Sequence, residues 1–359
     1  MEKRGISASA LAPAPPLRYN DGARAVRRAW RFDVRNYILM GDSFDPWHNL
    51  AVEDRLFHTL EPDEIVLYLW QNRNTVVIGR HQNAWKECRV KLLEDEGGYL
   101  ARRSTGGGAV FHDLGNLNFS FAVPRKRYDV RRQLDVIRRA VAEFGIEAEF
   151  TGRNDLVEAS GGAKFSGNAF RFSDAVGLHH GTILVDVDME RLGRYLVPGK
   201  DKLKAKGIES VRSRVCNLKA LSPDMTIPAL TEALKRAFVA EYGPAETMAV
   251  SDLDPAALSE AEARYASWDF RLGKALPFDA ELEHRFDWGG LTLALSLRGG
   301  AVEKAHVYSD AMDEAMIDRV APALVGVKYQ NAALAAALRG LGSAQLDEAA
   351  DWIEGEELG

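Results

Sequence analysis

Arg102-Arg103-Ser104-Thr105-Gly106-Gly107-Gly108-Ala109-Val110-Phe111-His112-Asp113 is the most unusual segment of this 359-residue chain. Strand-like runs flank it, Tyr99 to Arg102 before and Ala109 to Phe111 after. Glycine loses more conformational freedom on folding than any other residue, so three in a row between strands need a reason. Two reasons fit: positive φ angles, and backbone amides that must approach a ligand without side-chain obstruction. Such amides form an anion-binding concavity, and Arg103 would set a fixed positive charge beside it. A tight turn with surface arginines is the plainer alternative, and this segment alone leaves both open.

Upstream, Asp45-Pro46 opens a helix: aspartate is a good N-cap and proline fits the first helical position. Trp47, Leu50, Ala51, Phe57 and Leu60 give that helix an apolar face. Ile65 to Trp70 and Thr75 to Gly79 have the pattern of a hairpin joined by Gln71-Asn72-Arg73-Asn74. A charged helix is predicted over Trp85 to Glu96, stopped by Gly97-Gly98. Downstream, Leu117 to Val123 is strand-like, and Leu134, Ile137, Val141 and Phe144 repeat at helical spacing as far as Gly145. Asn154 to Glu158, Lys164 to Phe172 and Gly181 to Val187 are again extended in pattern. Hairpins mixed with helices predict an α+β fold with mixed, largely antiparallel sheets and flanking helices. After Gly243-Pro244 the chain turns acidic and alanine-rich. From Glu281 a fresh pattern of strand (Leu291 to Leu297), Gly299-Gly300 turn, strand (Ala301 to Tyr308) and short helices predicts a small α+β C-terminal domain.

Composition excludes several classes. With 46% apolar and 27% charged residues the chain is an ordinary globular protein, large enough for two domains. A net charge of −6 gives no bulk attraction to nucleic acid or to an anionic membrane, and no apolar run is long enough to span a bilayer. Cys88 and Cys216 offer no metal-ligand spacing, and so few cysteines suit a reducing, cytoplasmic compartment. Met1 to Arg31 stand apart, with seven basic residues against Glu2 and Asp21. Residues 1–32 fit a disordered extension, an early start codon or an organelle transit peptide, and the sequence does not choose among them.

Two further segments carry chemistry. If Lys164-Phe165-Ser166-Gly167-Asn168-Ala169 is a strand, Lys164, Ser166 and Asn168 share one face. A cation followed by small polar groups suits holding a carboxylate next to a phosphate; a solvated surface lysine is the alternative. The adjacent His179 and His180 point to opposite faces of a strand, which speaks against a shared metal ion. One would face a pocket and the other outward.

With these residues in view, the sequence resembles the bacterial two-domain, ATP-using lipoate–protein ligases. The matching stretches are Asp42 to Trp47 with Asn49-Leu50-Ala51-Val52-Glu53, Thr75 to Arg80, the Arg102 to Asp113 loop, Gly152 to Leu156, Lys164 to Ala169 and His179 to Thr182. Lys202 to Asn217 and Arg285-Phe286-Asp287-Trp288-Gly289-Gly290 continue them, in family order. The resemblance implies a biotin/lipoate-protein-ligase-like catalytic domain over residues 33–262 and an accessory domain over residues 275–359.

It also implies two half-reactions. Lipoate, with octanoate as another acid of the same length, and ATP give an acyl-adenylate and pyrophosphate. A lysine amine on an apo lipoyl domain of a 2-oxoacid dehydrogenase E2 subunit, or on the glycine-cleavage H protein, then takes the acyl group. By motif position, Lys164 is the catalytic residue and touches both nucleotide and lipoate. Arg103, Gly108, Ala109, Val110 and Phe111 contact ATP. Arg103, Thr105, Gly106, Gly107, His112 and His180 line the lipoate cavity, and Val77, Leu50 and Val52 are candidates for its apolar slot. Mg2+ would accompany ATP, with Asp155 as a candidate ligand. A monomer, without nucleic acid or membrane partners, is the expected form. A rival acyltransferase would need a cysteine thiolate in the pocket. The Gly152 to Asp155 stretch, where that cysteine would stand, has none. Biotin ligation is disfavoured because the phosphate loop lacks that family's Gly-Arg-Gly-Arg pattern. A lipoate or lipoyl-domain binding module without catalysis is the third reading.

Overall fold

Asp45 caps the first helix as its residue type favours: its carboxylate accepts from the amides of Trp47 (2.8 Å) and His48 (3.2 Å), and Pro46 begins the helix Pro46–Thr59. The computed structural model describes residues 34–151, 155–197, 215–273 and 278–356. The 1–32 segment, Gly152-Arg153-Asn154 and most of the Lys202 to Asn217 match lie outside the described residues.

The strands, in chain order, are β1 (Arg35–Met40), β2 (Glu64–Trp70), β3 (Thr75–Ile78), β4 (Tyr99–Arg102), β5 (Val110–His112), β6 (Asn116–Pro124), β7 (Ala148–Thr151), β8 (Asp155–Glu158), β9 (Lys164–Phe172), β10 (Val176–Leu184), β11 (Ala245–Met248), β12 (Ala280–Phe286), β13 (Gly289–Arg298) and β14 (Ala301–Ser309). Eight form one sheet in the order β11-β1-β2-β6-β10-β9-β8-β7. β1 runs parallel to β11 and β2, and the other neighbours are antiparallel. A small sheet, β4-β3-β5, lies over one face of it, and β12-β13-β14 is an antiparallel meander.

Alternation along the strands explains the layers. Val66, Tyr68 and Trp70 of β2 point to one face, where they pack with Val77 and Ala101 of the small sheet and with the helices Pro46–Thr59 and Pro255–Ala266. The opposite face carries Phe121, whose ring meets Phe238 and Tyr242 of the helix Ile227–Tyr242. Leu291, Leu293 and Leu295 of β13 share a separate core with three terminal helices, Glu314–Leu324, Asn331–Arg339 and Ala344–Gly355.

Three expectations are corrected. β2 and β3 are not a hairpin but belong to different sheets. Their link is pinned inward, because the Arg73 amide donates to Phe44 O (3.1 Å) and the Asn72 side chain is buried against Asn49. The helix expected over Trp85 to Glu96 is two short ones, Ala84–Glu87 and Val90–Asp95. Cys88 between them is extended and bridges Leu196, and the Arg89 amide donates to Tyr195 O (2.9 Å), so tertiary pairing overrides helical propensity. β10 starts at Val176 and ends at Leu184, earlier than the Gly181 to Val187 pattern.

Candidate active site

One row of residues crosses the large sheet and floors a cavity of about 390 Å³. Trp70 of β2 faces Asn118 of β6, which faces Thr182 of β10. The Thr182 hydroxyl accepts from the Gly167 amide of β9 (3.2 Å), and Gly167 faces Asp155 of β8. Leu50, Val77, Val110 and the Gly107 to Ala109 loop form the roof, and Arg285, Asp310 and Met312 close one side. The row therefore runs from an indole at one end to a charged pair at the other.

That pair is Lys164 and Asp155, with Nζ 2.7 Å from Oδ1. Lys164 does not share a face with Ser166. A bulge between the Leu156–Ser166 and Val157–Lys164 pairs shifts the register by one residue, so Ser166 is fully buried while Lys164 lies across Gly167. A Cβ on residue 167 would stand 3.0 Å from the ammonium, which explains glycine there.

The glycines of the triplet serve different ends. Gly107 has φ +88, a Cβ on Gly106 would lie 2.2 Å from Ala311 O, and Gly108 has open space around it. Neither flanking arginine is on the surface. Arg102 is buried and donates to the carbonyls of Gly79, Arg80, Gln82, Phe270 and Arg271. Arg103 donates from Nε to Thr105 Oγ1 (3.0 Å), from Nη2 to Gly106 O (2.6 Å) and Gly108 O (2.8 Å), and from Nη1 to Val77 O (3.3 Å). Burial, with Glu53 partly offsetting it, lowers the Arg103 guanidinium to about 10, so it stays charged at neutral pH. It thus shapes the loop and electrifies it together.

His180 and His179 diverge as the strand requires. His180 lines the cavity, with Nδ1 2.7 Å from Glu53 Oε1 and Nε2 2.8 Å from Thr105 Oγ1. Glu53, itself buried, also accepts from Ser120 Oγ (2.5 Å). His179 faces the other side but not solvent: it is fully buried between Gln133 (2.8 Å) and Asn168 (2.9 Å).

Burial pushes His112 down to about 3, with Arg103 and His180 adding to it; burial and then His180 do the same for His179. Histidine ordinarily titrates near 6.5, so the unfolded chain binds these protons at a pH where the fold keeps both rings neutral. Their contribution to stability is complete above that value and shrinks as pH falls towards 3, by about 1.4 kcal/mol per pH unit for each ring. Substituting His179→Gln is expected to flatten the acid limb of stability against pH by one proton, measured by urea unfolding between neutrality and mild acid. An unchanged slope would show that His179 does not resist protonation.

Of the residues expected at the site, Val77, Arg103, Gly107, Gly108, Ala109, Val110, His112, Asp155, Lys164 and His180 line the cavity. Thr105, Gly106 and Phe111 do not. Thr105 lies under the loop between Arg103 and His180, Gly106 packs on Ala311, and the Phe111 ring is in the small-sheet core 5.6 Å from Tyr195. Leu50 lines the slot, whereas Val52 is core. Reading the sequence missed Trp70, Asn118, Asp310 and Met312 as lining residues. For Glu53 and Arg285 a signal existed, since both stand in matched stretches.

The cysteines lie elsewhere. Burial pushes Cys88 up to about 12 and Cys216 to about 11, so neither thiol ionises at neutral pH. Among the described residues no cluster of three His, Cys, Asp or Glu side chains could hold a metal ion, and both cavity carboxylates are paired: Asp155 with Lys164, and Asp310 with Arg285 (2.7 Å). No helix among the described residues is long and apolar enough to cross a membrane.

A cationic glycine loop and an elongated slot thus meet in one cavity, with the C-terminal elements resting on the loop through the Gly107 amide and Ala311 O (3.1 Å). The model of the lipoyl protein ligase A/B catalytic domain matches residues 45–239, and that of the bacterial lipoate protein ligase C-terminus matches residues 275–354. Lipoate-protein ligase A of Psychrobacter cryohalolentis is 41% identical over 337 residues, covering 90% of this chain and 99% of that protein. The crystal structure of P. falciparum LipL1 with lipoate is 29% identical, with TM-score 0.78, covering 89% of this chain and all of that one. The bipartite lipoate protein ligase of Thermoplasma acidophilum, solved with its E2 lipoyl domain, is 25% identical, with TM-score 0.61, covering 69% of this chain and 99% of that chain. The chain belongs to the lipoate–protein ligase family and is a ligase.

Proposed function

We propose that the cavity joins lipoate to ATP, releasing pyrophosphate, and then passes the lipoyl group to a lysine of an apo lipoyl domain. The observation that carries this reading is the polarity of the row: a lysine ammonium at one end, apolar Leu50, Val77 and Trp70 at the other, and the charged loop above. A carboxylate attacking an α-phosphorus is an anion approaching an anion, and fixed cations offset the repulsion and the charge that develops. Lys164 serves that purpose at the junction of acid and nucleotide, while Arg103 holds the Gly106 to Gly108 loop in shape. In the second step the deprotonated lysine amine of the acceptor attacks the acyl carbon and AMP departs. The mixed anhydride is already activated, so proximity suffices and no protein nucleophile is required.

Magnesium enters this reading with the nucleotide, since it keeps several waters and takes phosphate oxygens as ligands. Asp155 is the candidate carboxylate for it, once nucleotide binding draws Lys164 away. When bound, the ion would spread the phosphate charge. The lipoyl domains of 2-oxoacid dehydrogenase E2 subunits and the glycine-cleavage H protein are the proposed acceptors, in keeping with the lipoyl-domain partner of the archaeal relative. The same reading divides the chain at residues 33–262 and 275–359, supported by the separate core of the C-terminal elements. It takes the working form as a cytoplasmic monomer.

Lipoate-dependent ATP–pyrophosphate exchange is the test. A ligase exchanges; a thioester acyltransferase or a passive binding module does not. Cys88→Ser and Cys216→Ser are expected to exchange within about twofold of the parent, because burial holds both thiols protonated. Complete loss with either would favour the thioester route.

A further inference from the structure

Two buried polar groups in the cavity, His112 Nε2 and the Asn118 side-chain nitrogen, have no hydrogen-bond partner among the described residues. The tautomer of His112 follows from its neighbours. The Asn49 amide nitrogen donates to the backbone carbonyls of Ser43 (3.0 Å) and Gln71 (2.9 Å), which can only accept. Asn72 Oδ1, 3.0 Å from the same nitrogen, shares one of these two hydrogens, since an amide nitrogen there would oppose donor to donor, while Asn49 Oδ1 accepts from the Tyr68 hydroxyl (3.0 Å). The Asn72 nitrogen therefore faces His112 Nδ1 (3.2 Å) and donates to it, which leaves the imidazole hydrogen on Nε2. On β6 the Asn116 amide nitrogen lies 2.9 Å from Asn118 Oδ1 and Asn116 Oδ1 is itself unpartnered; in this placement the Asn118 nitrogen is the group that faces the cavity without a partner.

Both donors sit towards the indole end. Asn118 is the register partner of Trp70, and the His112 ring lies 6.3 Å from the Trp70 ring. Gly167, under Lys164, is three strands from Trp70, about 14 Å at ordinary strand spacing. A medium-chain acid with its carboxylate at Lys164 extends its far end to these N–H groups.

Resting on the ligase reading, we infer that His112 and Asn118 select the far end of the acid: a chain bearing a soft acceptor there, as the sulfurs of a dithiolane do, over a plain alkyl chain. An alkyl end displaces any water from the two donors and gives them nothing in return, whereas sulfur accepts weakly and is polarisable against the two rings. A site with buried polar groups rejects the analogue that leaves them unpaired.

Calorimetric binding and pyrophosphate exchange with lipoate, octanoate and 6-thiaoctanoate test this. For the unmodified protein we expect lipoate to be preferred over octanoate by about tenfold or more, with 6-thiaoctanoate between them. Asn118→Leu, of similar volume and apolar, should narrow the lipoate-to-octanoate ratio to about threefold or less by improving octanoate. An unchanged ratio in that variant overturns the inference. If the variant does not fold, 6-thiaoctanoate binding no better than octanoate to the unmodified protein overturns it instead. Preferential lipoate binding without exchange would count against the ligase reading and leave the selectivity standing, so the two failures are distinct.

Discussion

Lys164→Ala is expected to lower lipoate-dependent pyrophosphate exchange by about 10²–10³-fold, the usual cost of losing one fixed group that stabilises charge in a transition state. The fold should survive, because Lys164 is about one-third exposed and its ion pair with Asp155 is equally exposed, so screening leaves that pair little weight in stability. Removing the ammonium also leaves the Asp155 carboxylate facing two incoming anions. Adding Asp155→Ala to the lysine variant separates two roles of the carboxylate: partial recovery of exchange shows that it acts by this repulsion, and a further loss shows that it holds magnesium. Circular dichroism and thermal unfolding establish that the variant is folded before exchange is measured. Near-normal exchange by a folded Lys164→Ala protein would show that the lysine has another role.

Arg103 offers the second large effect, and a choice between charge and shape. If the guanidinium mattered only as a cation, Arg103→Lys would keep most of the activity. Its donors instead reach Thr105, Gly106, Gly108 and Val77 from a buried position, and an ammonium cannot reproduce that fork. We expect Arg103→Lys to lose exchange by about 10²-fold, nearly as much as Arg103→Met, and to lower stability by about 2–4 kcal/mol, since buried carbonyls lose their partners. The loss should appear in KM for ATP as well as in kcat, because the loop that faces the nucleotide loses its shape. A lysine variant with parental kinetics would make the charge alone sufficient.

The glycine triplet is legible as a loop that needs its glycines, but the reasons differ along it. Positive φ at Gly107 is a local property, whereas the close approach of Gly106 to Ala311 belongs to a segment about two hundred residues away. The N-cap at Asp45 and the strand over Lys164 to Phe172 are local patterns and are found where expected. The supposed hairpin between β2 and β3 failed because both strands are buried on both faces, so alternation carries no record of which sheet each joins. The bulge that turns Lys164 away from Ser166 is likewise invisible to period-two counting.

Local sequence by itself located many of the elements and named several of the residues that line the cavity, because capping, alternation and motif spacing act over a few neighbours. Membership of the family was readable for a related reason: its motifs keep their order along the chain. Tertiary structure alone decided which of those residues meet. Glu53 under His180, the Asn49–Asn72 relay that sets the His112 tautomer, and the row from Trp70 to Asp155 all depend on register between distant strands. Register is set by how two buried faces pack together, and a one-dimensional pattern holds no measure of that packing.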